Sequence, residues 1–169
     1  MSISNTNKNL VVGWLTEDNI PFKDKSSDAD QNVFEWLLHV DNLNTAIYTM
    51  KKFPDRIYIQ HDVRLSDKHR ELVNKKWEKP KLTSLLLGLT TNLTTFNTRY
   101  QILLDNQEFI GVRIYALQID LNKNDFLNEY LRITEIFNVV LNQLSASLGI
   151  EVQKLQQEQK TGEVNPLAG

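Results

Sequence analysis

Between Phe126 and Leu148 eight residues, Phe126, Tyr130, Ile133, Phe137, Val140, Leu141, Leu144 and Leu148, recur at steps of three or four. That is the spacing of one face of an α-helix. Gly149 supplies the left-handed stop such a helix needs, and Asn124 is the expected N-terminal cap. A long helix with one apolar stripe has to lay it on a broad apolar surface. The chain provides one between residues 33 and 64, where the period changes to two. Phe34, Trp36, Leu38 and Val40 alternate with Val33, Glu35, Leu37 and His39, and Ala46, Ile47, Tyr48 and Met50 form a second strand. In the third, Ile57, Ile59, His61 and Val63 alternate with Tyr58, Gln60, Asp62 and Arg64. Short polar turns at 41–44 and 53–55 join the three into an antiparallel meander.

The remaining elements follow from local signals. Leu10, Val11, Trp14 and Leu15 mark one face of a first helix capped by Ser4 or Asn5 and ended ahead of Pro21, and residues 23–31 read as a mobile loop. Ser66 opens a helix whose inner face is His69, Leu72, Val73 and Trp77, broken at Pro80. Leu82, Leu85 or Leu86, Leu89, Leu93 and Phe96 keep helical spacing up to Asn97. Tyr100, Ile102 and Leu104 alternate before Asp105-Asn106, and Ile110, Val112, Ile114 and Ala116 alternate after it, which makes a hairpin. The expected fold is α+β: a helix, a three-stranded antiparallel meander, one or two helices, a β-hairpin and a long helix, with a five-stranded antiparallel sheet covered by helices. One domain is expected over 1–149, followed by a loosely ordered C-terminal tail over 150–169.

The 169 residues are enough for one core that buries roughly 70% of the unfolded chain's surface. Predicted core members are Trp14, Phe34, Trp36, Leu38, Ile59, Ile102, Val112, Ile114, Phe137, Val140 and Leu144. There is no cysteine, which excludes disulfides, thiolate metal sites and cysteine nucleophiles. The six glycines stand singly, so no phosphate-cradling loop is present, and there is no nucleophile elbow. His61-Asp62 has the look of a metal dyad, yet adjacent strand residues face opposite ways, so no metal site is expected. No catalytic residue, cofactor or metal is assigned. Neither a spanning segment nor an apolar signal core is read, and a cytoplasmic location without membrane contact is expected.

Charge is unevenly spread along the chain. Residues 51–81 hold ten Lys or Arg against five Asp or Glu, a net +5, in a chain whose total is -2. Lys68, Arg70, Lys75, Lys76, Lys79 and Lys81 cluster there around Trp77 and are the candidates for binding an anion or nucleic acid. The simpler account is a solvated outer face of an amphipathic helix. Leu85, Leu87 and Leu89, with Leu86, span more of a helix than one face can bury, and are candidates for a dimer interface or for receiving an apolar segment.

In element order the chain resembles the type III secretion chaperone-like fold. The resemblance rests on the 10–15 helix, the 33–64 meander, the 82–96 helix, the 100–117 hairpin and the 126–148 helix. That fold occurs in bacterial secretion chaperones and in small proteins that include an archaeal family of unknown function. The resemblance implies a binding or chaperone-like role and homodimers, and it carries over no catalytic residue. The expected function is therefore a non-catalytic protein-interaction module, homodimeric, whose partner is a protein or a second copy. A nucleic-acid or anion-binding accessory protein using residues 51–81 is the alternative, and an enzyme of unrecognised type the second alternative.

Overall fold

The computed structural model describes residues 3–40, 45–119 and 121–150. In chain order these form α1 (Ile3–Glu17), β1 (Phe22–Asp24), β2 (Phe34–Val40), β3 (Thr45–Met50), β4 (Phe53–Arg64) and α2 (Asp67–Glu71). A π-helical turn (Leu72–Lys76) continues α2, and α3 (Lys79–Thr95), β5 (Arg99–Asp105), β6 (Glu108–Gln118) and α4 (Lys123–Leu148) complete the chain. The strands form one sheet in the order β1-β2-β3-β4-β6-β5, with every neighbouring pair antiparallel. The α+β class and the strand-rich frame are as the sequence indicates. The sheet has six strands instead of the expected five, because Phe22–Asp24, only three residues long, pairs with β2. The expected turn at 41–44 and the tail from 151 onward lie outside the described residues.

Strand register sorts the side chains onto two faces. Trp36 lies opposite Thr49, Leu38 opposite Ile47, Ile47 opposite Ile59, and Ile59 opposite Ala116. These residues share one face with His61, Val63, Val112 and Ile114, because a strand alternates sides at every residue. On that face lie Val11 and Leu15 of α1, Leu85, Leu89 and Leu93 of α3, and the α4 stripe from Phe126 to Leu144, all in a single buried cluster. Trp14 and Ile102, expected inside, are only partly buried at its margin, and Leu10, expected on the inner face of α1, is 41% exposed.

Phe34 is buried on the opposite side from Trp36. The pairing Phe34↔Met50 followed by Trp36↔Thr49 places one extra residue in β2. Such a bulge shifts the side-chain alternation, so Phe34 joins Leu37, Ala46 and Tyr48 in a second cluster.

The ends of the elements follow capping chemistry. The Asn122 side chain accepts a hydrogen bond from the Asp125 backbone N–H at 2.9 Å, so the cap of α4 lies two residues before the Asn124 the sequence points to, and Gly149 ends the helix at φ 67°. Asn106 and Gln107 both adopt positive φ, the two-residue turn that matches strand twist in the β5-β6 hairpin. Asn74, in the π-helical turn, holds that hairpin by a two-point bond. Its amide accepts from the Phe109 N–H and donates to the Phe109 carbonyl, both at 2.8 Å. Gly111 permits β6 to approach β4, since a Cβ there would lie 2.1 Å from the Val63 carbonyl oxygen.

Candidate functional site

Among the described residues, no helix contributes a side chain to the apolar cluster on the other face of the sheet. The second cluster contains strand residues together with Ala29 and Val33, and none from α1, α3 or α4. Residues 25–33, which overlap the stretch 23–31 expected to be a mobile loop, are pinned across the β2 end of this face. Lys25 N–H donates to the Leu37 carbonyl at 2.9 Å, Leu37 N–H donates to Ser26 Oγ at 3.1 Å, and Ser26 N–H donates to Asp24 Oδ1 at 2.9 Å. Lys8 of α1 anchors the same corner, 2.6 Å from Asp24 Oδ2. The sequence hides this because the stretch is polar and lacks periodicity, whereas its bonds are made by backbone and by short Asp and Ser side chains.

From β3 to β5 the face is built in rows that follow the register. Leu37, Tyr48, Tyr58 and Leu117 form one row, Ala46, Gln60, Tyr115 and Arg99 the next, and Asp62, Arg113 and Gln101 a third. A continuous hydrogen-bonded chain runs across them. The Tyr48 hydroxyl donates to Gln60 Oε1 at 2.8 Å, and Gln60 Nε2 donates to Asp62 Oδ1 at 3.0 Å. Arg113 grips the same carboxylate with Nε at 2.9 Å and Nη2 at 3.0 Å, and Arg64 Nη2 reaches Asp62 Oδ2 at 3.2 Å. The Asp62 side chain is 1% exposed and that of Arg113 9%.

Burial alone would weaken the charge of Arg113, but the bound Asp62 carboxylate outweighs it and holds the guanidinium pKa above its ordinary value. Burial pushes the Tyr48 phenol upward, so it stays a proton donor to Gln60. Tyr48 and Tyr58 stand face to face, centroids 5.1 Å apart and planes within 8°, and Phe34 meets Tyr48 edge-on at 5.3 Å. The result is a hydrogen-bonded set of donors and acceptors that runs across three strands. Such an arrangement can orient a partner's polar groups.

The composition of the face is also distinctive. Its three central rows carry Tyr48, Tyr58 and Tyr115 with Arg99 and Arg113, and neither Lys nor Glu, while Asp105 and Glu108 pair at the hairpin end. Solvated sheet faces draw freely on Lys, Glu and Thr, whereas Tyr and Arg enriched and Lys and Glu depleted is the signature of a binding interface. Sequence reading recorded the alternation Tyr58, Gln60, Asp62, Arg64 but not the network. Asp62 and Arg113 are separated by 51 residues, and only the β4-β6 pairing puts them opposite each other.

The sites singled out in the sequence fall elsewhere. Leu85 and Leu89 are 4% and 0% exposed in the core, so of the three leucines only Leu87, at 65%, is at the surface. The expected apolar patch is absent because α3 packs between α4 and β5 and buries its broad stripe within the chain. In the basic cluster, Arg70 is paired with Asp105 at 3.0 Å, Lys76 with Glu71 at 3.4 Å, and the Lys81 ammonium lies 4.0 Å from the centre of the Trp77 ring. Lys68, Lys75 and Lys79 are exposed. His61 is fully buried on the helix-covered face, 3.0 Å from Thr45 Oγ1 and stacked on Phe137 at 4.8 Å, with Asp62 on the opposite face as strand geometry requires. Among the described residues no three His, Asp or Glu side chains converge on a metal position, and no helix is long and apolar enough to cross a membrane.

Comparison with known proteins bears on the fold. An uncharacterized protein from Methanothermobacter thermautotrophicus, known from its crystal structure, superposes with a TM-score of 0.72 at 13% identity, covering 84% of this chain and 99% of that one. At that identity the likeness is one of fold. No curated protein matches the sequence. A family model described as "Uncharacterized conserved protein (DUF2299)" matches residues 7–144, and the chain belongs to that family.

Proposed function

We propose that the protein is a non-catalytic binding module that holds a segment of another protein against the helix-free face of its sheet. The observation that supports this most is the pairing of position with composition. The side of the sheet left uncovered by α1, α3 and α4 carries tyrosines, arginines and a desolvated Arg113–Asp62 pair in place of ordinary solvated residues. A preorganised surface of this kind loses little side-chain entropy when a partner docks. The resemblance in element order to chaperone-like proteins points the same way.

The test is site-specific photo-crosslinking in the native host, with the reactive group at Tyr115 or Tyr58 in one set and at Leu87 or Lys75 in the other. Discrete protein adducts at 115 and 58 but not at 87 or 75 are expected. Adducts confined to 87 or 75 would move the interface to the helices and overturn the reading.

A further inference from the structure

The two edges of the sheet are finished differently. β1 is three residues long, follows directly on Pro21 and carries Lys23. Shortness, proline and lysine are the usual means of keeping an edge strand from pairing with another chain. β5, at the other edge, runs seven residues from Arg99 to Asp105 with neither proline nor lysine. The irregularity in its pairing with β6 puts the extra residue in β6, between Phe109 and Gly111, so the bulge does not interrupt β5. Among the described residues no strand pairs with the outer side of β5. Leu104, opposite Phe109 on the helix-covered side, is 53% exposed there.

What this edge can receive is set by its own sequence, Arg-Tyr-Gln-Ile-Leu-Leu-Asp. An antiparallel ladder bonds through alternate residues, so two copies of one strand must oppose residues of like parity. The register with Ile102 opposite itself meets that condition and pairs the whole of β5. A slip of two residues leaves either Leu104 and Asp105 or Arg99 and Tyr100 without a partner.

In the centred register Arg99 of each copy faces Asp105 of the other, and symmetry makes the contact twice. Tyr100 faces Leu104, and Gln101 faces Leu103. The sides agree: Arg99 and Asp105 lie on the face of Tyr115 and Arg113, Tyr100 and Leu104 on that of Ile114 and Phe109. Both charged residues are exposed. Asp105 already accepts from Arg70 at 3.0 Å and, through its other oxygen, from Asn106 at 3.3 Å. Glu108 stands opposite Asp105 in the hairpin, so this end of the edge is acidic and retains acceptor sites for a second guanidinium. Opposite charges placed directly across a ladder favour the pairing.

We propose that two copies of the chain join edge to edge through antiparallel β5 strands, with Ile102 on the twofold axis, merging their sheets into one. Full overlap, side-chain facing and charge all select the same register, and main-chain hydrogen bonds supply the attraction. The contact uses the edge of the sheet and does not depend on what the open face holds.

The full chain is followed by light scattering across the micromolar range as wild type, Arg99→Glu, Asp105→Lys and an equimolar mixture of the two variants. Circular dichroism confirms that each is folded. The wild type is expected to dimerise. Each reversal sets like charges opposite one another twice and should weaken association tenfold or more. The mixture should recover it, because in a mixed dimer every charge again faces its opposite. A wild type that stays monomeric, a dimer indifferent to both reversals, or folded variants not rescued by mixing would each overturn the proposal.

A second measurement holds even where loss of the Arg70 bond unfolds Asp105→Lys. The chain has no cysteine of its own. Directly opposed Cα atoms lie about 4.5–5.5 Å apart, within disulfide reach. Ile102→Cys should therefore oxidise to a linked dimer while Leu87→Cys does not. Absence of the link at 102, with or without one at 87, overturns the pairing.

Discussion

The two faces of this sheet are made by the same strands, often by consecutive residues, yet they are organised on different principles. On the helix-covered face Ile59, Val63, Val112 and Ile114 meet Phe126, Phe137 and Leu144 in one apolar cluster, where shape and volume decide what fits. On the other face Tyr48, Gln60, Asp62, Arg64 and Arg113 are specified partner by partner through hydrogen bonds. The first arrangement stabilises through area removed from water. The second contributes little net stability for its size, because desolvating Asp62 and Arg113 offsets much of what their attraction gains. A chain that keeps such a network on the side of the sheet without helices is holding a surface in a defined shape.

The comparison can be broken first where the apolar face is densest. Phe137 is 2% exposed and stacked on His61, so Phe137→Ala should cost about 3–5 kcal/mol in urea unfolding. A loss under about 1 kcal/mol would mean that α4 does not carry the core. The network face should respond differently. Arg113→Ala leaves the Asp62 carboxylate buried with Arg64 as its remaining cation, for a loss of about 3 kcal/mol. The double change Asp62→Leu/Arg113→Met should recover most of that, since two apolar groups of similar size leave no stranded charge. If the double variant unfolds as readily as the single one, the pair is a structural requirement and the contrast between the faces fails.

The smallest effect concerns the corner where residues 25–33 are anchored. Burial opposes ionisation of Asp24, but its bonds from Lys8 and Ser26 outweigh that and lower its pKa below the ordinary value. A carboxylate with a lowered folded pKa adds stability above its unfolded pKa and loses it as pH falls through the folded one. The Lys8–Asp24 contribution should therefore be intact above about pH 5 and fade below about pH 4. With Asp24 half exposed, Asp24→Asn should flatten the acid limb of the stability profile by roughly 0.2–1 kcal/mol. An unchanged profile would release residues 25–33 from α1.

The helix-covered half of the molecule was legible in the sequence because periodicity reports burial directly. Phe126, Phe137 and Leu144 are where their spacing puts them, and the hairpin turn falls beside Asp105-Asn106. Legibility fails where one residue resets the pattern. The β2 bulge sends Phe34 to the face opposite Trp36, and alternation alone cannot show an inserted residue. It fails also where an element is too short to have a period, as with Phe22–Asp24, or where breadth of apolar spacing is taken for surface, as with Leu85 and Leu89. The network on the open face lay beyond reach for a third reason. Its members are polar, their local pattern is that of any solvated strand face, and their partnership exists only through the β3-β4 and β4-β6 registers.

Ile114 and Tyr115 are neighbours in β6 that point to opposite faces, which lets one strand test the division of labour directly. Ile114→Ala and Tyr115→Ala are to be compared in one experiment, reading the melting temperature together with the binding of a protein partner, captured in the native host through a photo-reactive group at Tyr58. The account predicts that Ile114→Ala loses about 2–5 kcal/mol of stability while whatever remains folded still binds, and that Tyr115→Ala melts close to the wild type yet binds weakly. If Tyr115→Ala keeps full binding while remaining folded, or if the two variants lose stability equally, the helix-free face is not the surface this molecule presents to a partner.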